Sequence, residues 1–318
     1  MKKGLCLIMT AILAAICLSS CSTKNNNDGS LDIITTIFPE FDWTKQILGD
    51  NPSNINLTLL TDNGIDIHSY QPSAEDIVNI SNCDVFIYVG GESDKWIDDV
   101  LSDAQNKDMV VVNLMEILGD SAKEEEIVEG MEIKEEIDDS ALDEHVWLSL
   151  KNASVFCDAI TKAIISIDDA NAELYKSNNS EYKSKLNELD KRYETELAEC
   201  DKDTVVFCDR FPCRYMFDDY NLNYYAPFLG CSTETQANFD TIIFLANKLD
   251  ALELGAVMQI ETSDSSVADT IIQNSSDTSR MILPLNSLQS TTSADISDGL
   301  SYLLAMETNL ESLKMALN

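Results

Sequence analysis

Hydrophobic positions along the chain fall into two alternating patterns. Short β-branched runs read as strands: Asp32 to Ile37, Ile55 to Leu60, Val85 to Val89 and Met109 to Val112. Between them lie helical stretches, one opened by Pro39 and running to Leu48, one begun by Ser73, and one from about Trp96 to Ala104. Ser73 followed by Asp76 is close to a capping box, in which each residue satisfies a free backbone N–H of the other. Val85 to Val89 is apolar throughout and ends at Gly90-Gly91, as expected of a fully buried strand.

From Asn152 to Cys200 the pattern is helical almost throughout. Tyr182, Leu186, Leu189, Tyr193 and Leu197 recur on one face of it, so the expected element is long enough to act as a strut. Alternation then resumes. Strands are expected at Thr204 to Cys208, Tyr224 to Pro227, Gly255 to Ile260 and Met281 to Leu285, and helices near Gln236 to Leu249, Val267 to Gln273 and Ala294 to Leu317. Strand–helix–strand order implies parallel sheets covered by helices. The predicted fold is α/β, with two lobes, 32–165 and 203–318, joined by a linking helix over 166–202.

The N-terminus has a different character. Lys2 and Lys3 precede an uncharged stretch from Leu5 to Leu18, shorter than the ~20 residues a membrane-spanning helix needs. It reads as the apolar part of a secretory signal over 1–20. Leu18-Ser19-Ser20-Cys21 resembles a bacterial lipobox, so Cys21 is the expected lipidation site, with a polar tether over 21–31. The expected location is therefore the extracytoplasmic face of the cell membrane, held by a lipid anchor. Of the nine cysteines, those left after signal removal and lipidation are Cys83, Cys157, Cys200, Cys208, Cys213 and Cys231. They form no CxxC pair or compact disulfide framework.

Charge narrows the function classes. The 318 residues hold 56 acids against 21 Lys and Arg, a formal net charge of −35. Nucleic-acid backbones and anionic lipid surfaces both require clustered basic residues, which are absent. Cations remain admissible ligands. The densest acidic run, Asp120 to Glu144, contains only Lys123 and Lys134 as bases and is expected to be a solvated, mobile loop.

The chain has two histidines, His68 and His145. Both fall in loops of the first lobe, where ligands sit beyond the carboxyl ends of parallel strands. The segment Gly64-Ile65-Asp66-Ile67-His68-Ser69-Tyr70-Gln71-Pro72 resembles the GxDPHxYEP motif of the zinc/manganese substrate-binding proteins of bacterial ABC importers. Asp143-Glu144-His145-Val146-Trp147-Leu148 resembles their DPHxWLxP motif. The resemblance runs from about Ile33 to the C-terminus. It implies two lobes bridged by a rigid helix, one divalent metal in the cleft between them, an ABC permease and its ATPase as partners, a monomeric chain, and no catalysis.

The resemblance also directs attention to further ligands. A third is expected just after the first strand of the second lobe, where Asp209 stands, with Cys208 as the alternative. A fourth is expected after the last strand, where this chain has Asn286; Glu261, at the end of another strand, could compensate. The expected cargo is Zn²⁺, with Mn²⁺ second, since nitrogen ligands favour zinc. A metal-dependent hydrolase using Glu261 as base is the competing class, but no HExxH, GxSxG or P-loop motif is present. A binding protein for an organic ligand would leave the two histidines unexplained.

Overall fold

The structure is a computed structural model and describes residues 30–49, 54–132, 141–232, 234 and 236–318. The signal segment, Cys21 and the tether up to residue 29 lie outside the described residues, as does 133–140 of the acidic run. Among the described residues no helix is long and apolar enough to cross a membrane.

The first half is a parallel four-stranded sheet of β1 (Leu31–Thr35), β2 (Ile55–Leu59), β3 (Val85–Tyr88) and β4 (Val110–Asn113) in the order β2-β1-β3-β4. Ile33 pairs with Leu57 on one side and Val85 on the other, and Val85 pairs with Val110. β3 is buried at every position, as an apolar strand covered on both faces must be. The helix after β2, Ala74–Asn82, carries the capping box of Ser73 and Asp76.

The second half contains β5 (Thr204–Val206), β6 (Arg210–Phe211), β7 (Asn223–Tyr225), β8 (Phe228–Leu229), β9 (Ala256–Ile260) and β10 (Met281–Leu285). β5 pairs with β7 and β9 with β10, all parallel, and a parallel bridge from Phe207 to Met258 joins the two pairs. The resulting order, β7-β5-β9-β10, repeats that of the first half. A small parallel pair, β6 with β8, lies apart from it and was not expected from the hydrophobic pattern.

Two expected helices are each interrupted. The stretch from Asn152 to Cys200 is two helices, Leu150–Ile167 and Ala172–Ala198. Asp168 breaks them by leaving helical geometry, and its carboxylate accepts from Asn171 Nδ2 and the Tyr175 hydroxyl. The linking helix is thus the 27 residues from Ala172, rather than 166–202. The C-terminal stretch likewise divides into Ser293–Ser297 and Tyr302–Leu317, where Gly299 adopts φ +99° and Ser301 caps the second helix.

The predicted stripe on the long helix is buried: Tyr182, Leu186, Leu189, Tyr193 and Leu197, with Tyr175 and Asn179. It ties both halves together. Asn178 donates to Ile47 O and Tyr182 to Asp42 in the first half, while Tyr193 donates to Met306 O in the second. Direct contacts close the same seam. Trp43 packs edge-on against Tyr302 at 5.1 Å, and the Tyr302 N–H donates to Asp42 Oδ2. Trp147, fully buried, donates its indole N–H to Ser287 O, and its own carbonyl accepts from the Tyr302 hydroxyl.

The acidic run is not a solvated loop over its described residues. Glu124 bridges Leu142, Glu126 pairs with Arg214, Glu129 with Lys248, and Glu132 accepts from the Asn238 N–H. The carboxylates that would repel one another are distributed over cations and backbone donors of the second half.

Trp147→Ala should destabilise the protein by about 3–5 kcal/mol, the usual loss for a buried Trp, measured as a shift in the denaturant midpoint. A loss near zero would show that this residue does not hold the seam. At the end of β3, Asp94 is buried and accepts from Gly90 N–H. Burial, opposed by that hydrogen bond and reinforced by the charge of Glu144, pushes its pKa up to about 7. Burial likewise raises nearby Glu40. The folded state then holds protons that the unfolded chain has released, so this contribution is complete below about pH 4 and is lost as pH rises through about 7. Asp94→Asn should flatten the fall in stability across that window; an unchanged slope would remove Asp94 from the account.

Candidate metal centre

The ends of both sheets meet at one buried point. His68 lies in a 3₁₀ turn, Ile67–Ser69, after β2. Asp66 caps that turn by accepting from the His68 N–H, and its second oxygen pairs with Arg210 of the other half. His145 stands immediately before the turn Val146–Leu148, where Asp143 accepts from its backbone N–H at 2.8 Å.

The two imidazoles face each other, with Nε2 to Nε2 3.1 Å. Behind His145, Nδ1 lies 2.8 Å from Asp143 Oδ1. A carboxylate can only accept, so Nδ1 carries the proton and Nε2 presents a lone pair. Behind His68, Nδ1 lies 2.7 Å from Ser93 Oγ and 3.7 Å from Glu144 Oε2. The Gln289 amide nitrogen, a donor, lies 3.1 Å from His68 Nε2, which identifies that nitrogen too as an acceptor. With both rings neutral, two lone pairs face one another across 3.1 Å, and a metal ion between them relieves the arrangement, as a proton does when His145 is charged. Two nitrogens each about 2.0–2.1 Å from a tetrahedral zinc are separated by about 3.3 Å, close to what is observed.

Electrostatics favour the same occupant. Burial, with the charges of His145 and Arg210, lowers the His68 pKa to about 2, so this ring is held neutral. Burial also works to lower that of His145, but the charge and hydrogen bond of Asp143, with Glu125 and Glu144, raise it on balance. Oε2 of buried Glu144 and Oδ2 of buried Asp143 have no hydrogen-bond partner among the described residues. Negative charge is therefore concentrated behind the rings.

Of the further ligands expected from the resemblance, none joins this group. Asp209 accepts from the Arg210 N–H and bonds the Ser263 side chain. Cys208 is sealed in the apolar cluster of Val206, Leu245 and Val257, which pushes its thiol well up. Glu261 accepts from both the N–H and hydroxyl of Ser287. Asn286 Oδ1 accepts from the Leu288 N–H.

Two residues that were not among the expected ligands stand there instead. Cys231, just after β8, offers its sulfur with His68 and His145 in a group whose ligand atoms all lie within 4.8 Å of one another. Gln289, after β10, is buried at 1% exposure. Gly230 lets the Cys231 loop approach: a Cβ there would meet the His145 ring at 2.9 Å and Phe211 O at 2.8 Å. Gly91, at φ +91°, makes similar room for the Glu144 side chain.

Comparison with known proteins identifies the family. The family model for ZnuA, the periplasmic component A of zinc-uptake complexes, matches residues 33–316. The high-affinity zinc uptake system protein ZnuA of Bacillus subtilis is 28% identical over 99% of this chain and 97% of its own length. The zinc-binding lipoprotein AdcA of Streptococcus pneumoniae is 27% identical over 96% of this chain, which spans 60% of that longer protein. Among solved structures, the Zn(II)-bound ZnuA-like domain of AdcA aligns with a TM-score of 0.72 at 26% identity, over 91% of this chain and 99% of that one. The metal-dependent lipoprotein YcdH of Bacillus subtilis aligns at 0.74 with 26% identity and the same coverage. By sequence over residues 33–316, and by the fold that presents His68 and His145, the chain belongs to the family of ZnuA-like periplasmic components of zinc-uptake complexes.

Proposed function

We propose that the chain captures one zinc ion outside the cytoplasm between its two halves and delivers it to a membrane permease driven by an ATPase. His68 and His145 hold the ion. The observation that carries this reading is the pair of opposed Nε2 atoms at 3.1 Å, each ring oriented from behind by an oxygen of Asp143 or Ser93. A carboxylate or hydroxyl behind a ligating imidazole fixes its tautomer and raises its basicity.

Imidazole nitrogen favours zinc over manganese, which prefers oxygen donors. The role is capture and release, with no reaction at the site; Glu261, the base a hydrolase would need, is engaged by Ser287. Lipidation of Cys21 would keep the protein beside its permease, with the polar segment that follows serving as tether.

Titration calorimetry of the metal-stripped protein should give one tight zinc per chain. The His68→Ala, His145→Ala double variant should lose at least about 4 kcal/mol of binding, roughly a thousandfold. Unchanged zinc affinity in that variant would overturn the assignment.

A further inference from the structure

We propose that Cys231 is the third protein donor of the site, which makes this chain's centre a His–His–thiolate site, with the Gln289 amide oxygen as a neutral fourth donor. The inference rests on the metal-binding reading above and specifies its chemistry.

The donor set is argued from what each candidate is already bonded to. Asp209 and Glu261 are satisfied by Ser263 and Ser287 respectively, away from the rings. Cys231 alone among the described cysteines joins the histidines in one group. Its sulfur and one ring nitrogen of each histidine lie within 4.8 Å of one another. Around a tetrahedral zinc, with sulfur at about 2.3 Å and nitrogen at about 2.0–2.1 Å, sulfur and nitrogen sit about 3.5–3.6 Å apart. A movement of the order of 1 Å therefore completes the coordination.

The loop is braced for this. The Cys231 N–H donates to Glu125 Oε1, and Gly230 leaves no room for a side chain between the loop and the His145 ring. Gln289 supplies the second, independent observation. Its Oε1 is buried without a hydrogen-bond partner, while its Nε2 already touches His68 Nε2. The two ends of an amide are nearly isosteric, so turning the group places the orphaned oxygen where the nitrogen now sits, aimed at the same point.

Charge fits too. As the sulfur–metal bond forms, the Cys231 thiol releases its proton to solvent. Two neutral imidazoles and one thiolate leave a net +1 on a divalent ion, which the Asp143 and Glu144 carboxylates behind the rings more than offset. A further bound carboxylate is not required. Thiolate also discriminates: it strengthens zinc over manganese beyond what imidazole alone achieves.

Cobalt(II) reads the donor directly. Metal-stripped protein given one equivalent of Co²⁺ should develop a sulfur-to-cobalt charge-transfer band in the near ultraviolet. Cys231→Ser should lose that band, still bind cobalt, and bind zinc at least about tenfold more weakly with manganese affinity little changed. Cys200→Ser, altering a thiol at the far end of the long helix, should keep the band. Cobalt bound by the wild-type protein without a charge-transfer band, or an unaltered spectrum in Cys231→Ser, would overturn the thiolate while leaving the two-histidine reading intact. Failure of the wild-type protein to bind cobalt or zinc at all would overturn both.

Discussion

The centre depends on the way Trp147 joins the two halves. Its indole N–H reaches Ser287 O of the second half, and its carbonyl takes the Tyr302 hydroxyl. His145 lies two residues before it, with ring centroids 5.2 Å apart, and Gln289 lies two residues after Ser287. One buried side chain therefore sets the register between a ring of one half and an amide of the other. A buried indole N–H left without its acceptor would cost about 1–3 kcal/mol, so the loops cannot slide past each other cheaply. The spacing between the imidazoles inherits that rigidity.

Around the centre, charge is arranged in two tiers. Asp143 and Glu144 lie directly behind the rings and are almost fully buried. Arg210, paired with Asp66, is the cation at the edge, and its charge helps keep His68 unprotonated. Further out, the acidic run works as a strap: Glu125, Glu126, Glu129 and Glu132 fasten it to the second half, and Glu125 holds the loop that bears Cys231. The overall charge of −35 can raise the local concentration of cations, but it does not discriminate among them.

Much of the scaffold was legible in the hydrophobic pattern, because strands buried on both faces leave unbroken β-branched runs and a packed helix leaves a stripe. The breaks at Asp168 and Gly299 were not, since each depends on one residue's local geometry within a stretch whose periodicity carries on past it. His68 and His145 stood out as the chain's two histidines within recognisable segments. Cys231 and Gln289 did not, because their value comes from tertiary approach across the halves, and nothing in their neighbours' spacing encodes it. Asp209 shows the same limit from the other side: its position was legible, but not that its carboxylate accepts from Ser263 and the next backbone N–H.

The contacts between halves differ in kind from back to front, and this bears on how an ion reaches so enclosed a site. The His68 and His145 side chains are 4% and 0% exposed, so exchange with solvent requires the loops of one half to part from those of the other. At the back, the seam is apolar and spanned by the long helix: Trp43 on Tyr302, and Tyr182 and Tyr193 beneath. Opening there would expose aromatic surface at about 25 cal/mol per Å². At the front the links are polar: Asp66 with Arg210, Gln289 with His68, Asp62 with Ser293, and a single bridge from Asn63 to Thr292. Polar partners exchanged for water cost about 1 kcal/mol each or less when exposed. Once the buried Trp147–Ser287 bond is released, separation costs less at the edge where the histidines lie than at the helix, which makes the long helix the pivot and the histidine edge the mouth.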